Sequence, residues 1–155
     1  MNFRISGLSP EPFRHLYGAS DEELAVQGAI RYVADKKPGF PDRIAMRDVD
    51  IGEPILLLNH VCQPANTPYQ ATHAIFVAER SETTYDRIDE IPEVMRARIM
   101  SLRAFDAEHM MIDADLAEGA EVEPLIRRLL ANPKVAYIHA HNANRGCYSG
   151  KIERA

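Results

Sequence analysis

Cysteine is scarce in this chain, and no apolar run is long. Two thiols, Cys62 and Cys147, in 155 residues exclude a disulfide scaffold. No window approaches the roughly 20 apolar residues of a membrane span. The opening Met1-Asn2-Phe3-Arg4-Ile5-Ser6 has no apolar signal core. A cytoplasmic protein with both thiols free is therefore expected. Positive charge is in deficit: 18 Lys and Arg stand against 23 Asp and Glu, a net charge of -5. That balance argues against a nucleic-acid binder, which needs a basic face, and against docking on anionic lipid. No CxxC or HExxH spacing, internal repeat, low-complexity tract or heptad seam occurs.

What is present is an ordinary globular composition, 46% hydrophobic and 26% charged. A chain of this length buries roughly two-thirds of its unfolded surface without disulfides or metal, so one domain spanning 1–155 is expected. Ser20-Asp21-Glu22-Glu23 reads as a capping box opening a brief helix. A shorter helical turn precedes it over Phe13, Leu16 and Tyr17. Pro38-Gly39 suits the centre of a type II turn. Ile55-Leu56-Leu57-Leu58 is apolar on both sides, as in a central strand running to Cys62. Further strands are read over 2–8, 29–35, 73–79, 99–105, 110–116, 135–141 and 147–153. The segment 81–92 reads as irregular. Val122, Leu125, Ile126, Leu129 and Leu130 make a helical stripe at a 3.6-residue period. Strands outnumber helices and come in hairpin-like pairs. The expected fold is α+β, a mostly antiparallel β-sheet with one main covering helix and short helices near the N-terminus. The helix at 122–130 should pack on the Ala136, Ile138 and Ala140 face.

The densest chemistry lies in His139-Ala140-His141-Asn142-Ala143-Asn144-Arg145-Gly146-Cys147-Tyr148. Strand alternation puts Tyr137, His139 and His141 on one face. A semi-polar, aromatic face of this kind suits a pocket lining. With a loop of Asn142 to Gly146, His141 would pair with Cys147, His139 with Ser149 and Tyr137 with Lys151. Cys147 would then be a nucleophile with His141 as its base. A one-residue slip would put Tyr148 on that face instead. Arg103, alternating with Phe105 and Ser101, is a candidate anchor for a carboxylate or phosphate. The candidate catalytic residues are Cys147 and His141, and the candidate ligand-binding residues are His139, Tyr137, Ser149, Arg103 and His73.

His139 and His141 can also be read as a metal pair, with a third ligand from His73, His60, Asp113 or Asp115. Two ligands are not a site, and zinc needs three or four. No metal is expected, and no cofactor is identified. His60 and His73 share faces with leucines or β-branched residues and read as core or rim histidines. Asp113 and Asp115 read first as a solvated strand end, and Met95, Met100, Met110 and Met111 as packing residues. A small-molecule enzyme, a non-catalytic metabolite-binding module and an interaction protein, self-associating as a homodimer, all fit these residues.

Several segments carry a family resemblance. Pro38-Gly39-Phe40-Pro41-x-Arg43, the stretch Tyr69 to Val77, Arg103-Ala104-Phe105-Asp106 and the tail His139-Ala140-His141-Asn142-Ala143 to Gly146-Cys147-Tyr148 resemble the bacterial domain of unknown function 1203. The resemblance covers nearly the whole chain. It implies a small stand-alone bacterial protein and brings no activity, substrate or assigned site.

Overall fold

Nine short strands, most of them alternating in apolar character, build two antiparallel sheets, seen in a computed structural model that describes residues 1–155. The larger sheet holds β1 (Phe3–Ser6), β5 (Asp86–Ile88), β6 (Ile99–Phe105), β7 (Met111–Glu118), β8 (Tyr137–Asn142) and β9 (Tyr148–Arg154), in the order β5-β1-β9-β8-β6-β7. The smaller sheet is β2 (Ile30–Val33), β3 (Pro54–Gln63) and β4 (Ala71–Ala78), in the order β2-β3-β4. The continuous apolar run of β3 is thus its central strand, as its two-sided hydrophobicity requires. The helices are α1 (Asp21–Val26), α2 (Glu93–Arg96) and α3 (Val122–Leu130). None is long and apolar enough to cross a membrane. The fold is α+β.

Helix α3 is too short to be stable alone. Its stripe of Val122, Leu125, Ile126, Leu129 and Leu130 is buried against Leu102, Ala104, Ile138, Ala140 and Ile152 of the larger sheet. Each such side chain contributes about 1.5–3 kcal/mol on burial, far more than helix propensity can. Arg154 closes the helix from β9: its guanidinium donates to the carbonyls of Leu130, Asn132 and Val135. Ile138 and Ala140 lie under α3 as expected, whereas Ala136 precedes β8 and is exposed. Val135 takes the buried position instead.

The capping box forms as the sequence predicts: Ser20 Oγ accepts from the Glu23 amide and the Glu23 carboxylate from the Ser20 amide. The Pro38-Gly39 turn differs. The Lys37–Pro38 bond is cis, and Gly39 does not adopt the positive φ of a type II turn. The segment 81–92 is not wholly irregular, because β5 pairs with β1 at the sheet edge. Its side chains are exposed, so it carries no apolar signal to read.

The stretch from Pro41 to Asp48 runs along the open edge of β4, where the Arg43 amide donates to the Phe76 carbonyl. Asp42 anchors it. Its fully buried carboxylate accepts from the amides of Ile44, Ala45 and Ala78 and from Ser81 Oγ. Gly7 lets β1 approach this stretch: a Cβ there would collide with the Ile44 carbonyl oxygen.

Candidate functional site

Two polar faces meet between the sheets. On the larger sheet, Ser101 pairs with His141, Arg103 with His139 and Phe105 with Tyr137, all on the face away from α3. On the smaller sheet, Leu58 pairs with Ile75 and His60 with His73, so both histidines share the face of Leu56 and Leu58. A bulge between Val61 and Gln63 puts Cys62 at the end of this face.

The faces converge on one cluster. A ligand atom from each of Cys62, His73 and His141 lies within 4.8 Å of the other two. The His73 and His141 rings meet edge to face at 4.9 Å between centroids. His141 is held from behind: its Nδ1 lies 2.9 Å from the Gly146 carbonyl oxygen, which can only accept. Nδ1 therefore carries the proton, and Nε2 keeps its lone pair. An imidazole fixed in this way by a backbone carbonyl is the usual preparation of a metal-ligating histidine.

The surroundings of the cluster are aromatic. His139 packs on Phe105, Tyr137 and Tyr148 at 5.1–5.2 Å. Tyr137 Oη is tied to Gln63 Nε2 at 2.9 Å and His109 Nδ1 at 2.8 Å. Arg103 brings a charge without a carboxylate partner to this setting, whereas Lys151 is paired with Glu153. The only side-chain hydrogen bond of Arg103 goes to Ser101 Oγ at 3.3 Å. It is half-buried, and burial lowers its pKa.

Burial sets the protonation of the cluster. It depresses His141 to about 3, against a weaker upward pull from the Gly146 carbonyl. It depresses His139 to about 4, helped by the charges of Lys151 and Arg103. His73 and His60 are also lowered by burial, and Cys62 is raised by it. These imidazoles are neutral at pH 7, with free electron pairs. They are poor proton acceptors for a thiol that burial keeps protonated. A metal ion changes that balance, because it takes the neutral imidazoles as they are and displaces the thiol proton.

The Cys147–His141 pairing expected from sequence does not form. The hairpin loop is one residue shorter than Asn142 to Gly146: Asn142 N donates to the Cys147 carbonyl, and Gly146, at φ +78, turns the chain. His141 therefore pairs with Tyr148, and beyond a bulge His139 pairs with Lys151. Tyr148 occupies the histidine face, 5.7 Å from the His141 ring. Cys147 lies on the other face with Asn142, its sulfur accepting from Arg43 Nη2 at 3.2 Å and Asn142 Nδ2 at 3.4 Å. Ser149 sits in the bulge, fully buried, with its Oγ unpartnered. Lys151 reaches over the Tyr137 ring at 5.4 Å.

Of the residues singled out from sequence, the structure gathers His139, His141, Tyr137, Arg103 and His73 in one packed cluster between the sheets. It leaves Cys147 and Ser149 out. Asp113 and Asp115 pair with Arg128 of α3, an ordinary structural role. Cys62 is the member that strand reading passed over. Its alternation with His60 was legible, but its neighbours from β4 and β8 were not.

Comparison with known proteins gives a family and nothing finer. The family model described as "Protein of unknown function (DUF1203)" matches residues 39–154. No curated protein and no solved structure matches the chain.

Proposed function

The chain belongs to the DUF1203 family, and from its own site we propose that it binds a transition-metal ion through Cys62, His73 and His141 and uses that ion on a small anionic molecule. The observation that carries this reading is the convergence of one thiol and two imidazoles, from three strands of two sheets, within 4.8 Å. A donor set of one sulfur and two nitrogens suits zinc, and three protein ligands leave a fourth position open. The Gly146 carbonyl supports the reading, since it orients His141 with Nε2 available.

Arg103 names the kind of molecule. A guanidinium beside a divalent cation opposes the binding of that cation unless an anion lies between them. Arg103 has no carboxylate partner of its own, so a carboxylate or phosphate on the bound molecule would complete the site. The metal would polarise an oxygen of that molecule as a Lewis acid, and the aromatic wall of Phe105, Tyr137 and Tyr148 would limit water. A metal-free thiol reading uses the same atoms, with Cys62 as nucleophile. It is the weaker one, because the histidines beside Cys62 are held neutral and weakly basic.

Calorimetric titration with zinc tests this. One ion per chain is expected in wild type. Cys62→Ser and His73→Ala should lower affinity beyond the roughly 100-fold that loss of a mere supporting contact brings. Absence of one-to-one binding, or equal affinity in both variants, would overturn the proposal.

A further inference from the structure

Away from the Cys62, His73 and His141 cluster, the structure holds a pocket that the proposed metal does not touch. A pocket of about 740 Å³ opens between the hairpin tip, the 35–43 loop and the β2-β3-β4 sheet. One wall is aromatic: Phe40 and Phe76 meet at 5.3 Å and 58°, and Tyr32 stands edge-on to Phe76 at 6.3 Å. The lining is also cationic. Lys36, Arg43, Arg98 and Arg145 contribute to it, against the single carboxylate of Asp35. Asp48 takes up Arg98 through contacts of 2.6 and 3.0 Å. Lys36 and Arg145 form no ion pair and are exposed.

Arg43 is the unusual member. It is 1% exposed, and a buried guanidinium ordinarily has a carboxylate partner. Here its donors go to the Tyr148 and Pro41 carbonyls and to Cys147 Sγ. The neighbouring Asp42 carboxylate is used up by backbone amides and Ser81. The charge of Arg43 is therefore left without a carboxylate at the pocket floor. Asn142, on the same floor, gives Nδ2 to Cys147 and leaves Oδ1 shielded from solvent with no partner.

We propose that this pocket binds a small aromatic anion, its ring against Phe40 and Phe76 and its charge toward Arg145, Lys36 and Arg43, with Cys147 beneath it. An excess of unpaired cations selects the charge, and the edge-and-face aromatic wall selects a planar ring. The anionic group is a carboxylate or a phosphate, since both accept from guanidinium in the same way.

Mass-resolved alkylation of the full chain tests this with EDTA present, so that the outcome is independent of the metal proposal. Cys147 and Cys62 are followed separately, with Cys62 as the internal reference. The probes are benzoate, phenyl phosphate, cyclohexanecarboxylate and inorganic phosphate, and calorimetry measures their binding in parallel. Benzoate or phenyl phosphate should slow Cys147 by about tenfold at ten times its Kd and leave Cys62 unchanged. Whichever of the two protects identifies the anionic group. Arg145→Ala and Lys36→Ala, both surface changes that leave the fold intact, should weaken binding of that probe. Binding of neither aromatic probe, equal protection by inorganic phosphate or cyclohexanecarboxylate, or undiminished binding in both variants would overturn the proposal.

Discussion

At the scale of single residues, burial has turned His139 and His141 into neutral side chains. Both have folded-state pKa values, about 4 and about 3, below the ordinary 6.5 of imidazole. An unfolded chain binds protons at these positions below pH 6.5 and the folded chain does not. The stability they contribute is therefore complete above about pH 6.5 and is lost as pH falls toward 4. Each histidine contributes up to about 1.4 kcal/mol per pH unit across that window. Urea unfolding at pH 7, 6 and 5 should show stability dropping with acid, and His139→Phe should flatten the slope. A slope unchanged in the variant would show that His139 takes no part. Asp42 is a different case, a buried carboxylate holding three backbone amides and a serine. Asp42→Ala strands those amides, and unfolding should show a loss of about 3 kcal/mol or more.

Among the elements, α3 and the β8–β9 hairpin do the most to position the site. Helix α3 holds one face of the larger sheet through its apolar stripe, so the opposite face of β8 and β6 is free to carry His139, His141 and Arg103. Ile126 is fully buried at the centre of that stripe. Ile126→Ala should cost about 2–5 kcal/mol in urea unfolding, with zinc stoichiometry intact in the folded fraction. Ser20→Ala, at the cap of α1, should cost only about 1 kcal/mol. The hairpin separates two chemistries by alternation. Its odd partner across the loop is Tyr148 rather than Cys147, so one face carries imidazoles and the other a thiol under Arg43. Gly146 makes that register possible through its φ of +78, where a side chain is strained. Gly146→Val should disturb both sites together, seen as loss of zinc binding and faster alkylation of Cys147.

Across the whole molecule, the two sheets are joined by Tyr148, which belongs to the cluster of Leu56, Leu58, Ile75 and Val77 on the smaller sheet. Gln63 of β3 adds a hydrogen bond to Tyr137 of β8, and the proposed metal would be a further joint, since its ligands come from both sheets. If the sheets fold as one domain, urea transitions followed by far-ultraviolet circular dichroism and by tyrosine fluorescence should coincide. The chain has 6 tyrosines and no tryptophan, so the fluorescence reports tyrosines alone. Two separated transitions would show that the sheets unfold independently. Zinc at 100 times its Kd should then raise stability by about 2.7 kcal/mol in wild type and not in Cys62→Ser.

Sequence by itself determined most of the elements and the faces of α3, β3 and β8. The 3.6-residue stripe of α3, the two-sided apolarity of β3, the cap of α1 and the alternation that groups Tyr137, His139 and His141 all follow from local pattern, because each depends on residues close in the chain. The fold class follows from their order. Tertiary structure alone decided which faces meet. Cys62 and His73 are legible only as strand residues beside leucines, and nothing local says that β8 lies across from them. The hairpin register also lay beyond local pattern. A loop closing at Asn142–Cys147 or one residue wider has the same composition, and a single-residue shift moves every side chain to the other face. Arg43 was hidden for a related reason. Its lack of a carboxylate partner is a property of everything packed around it, and that environment is assembled from segments a hundred residues apart.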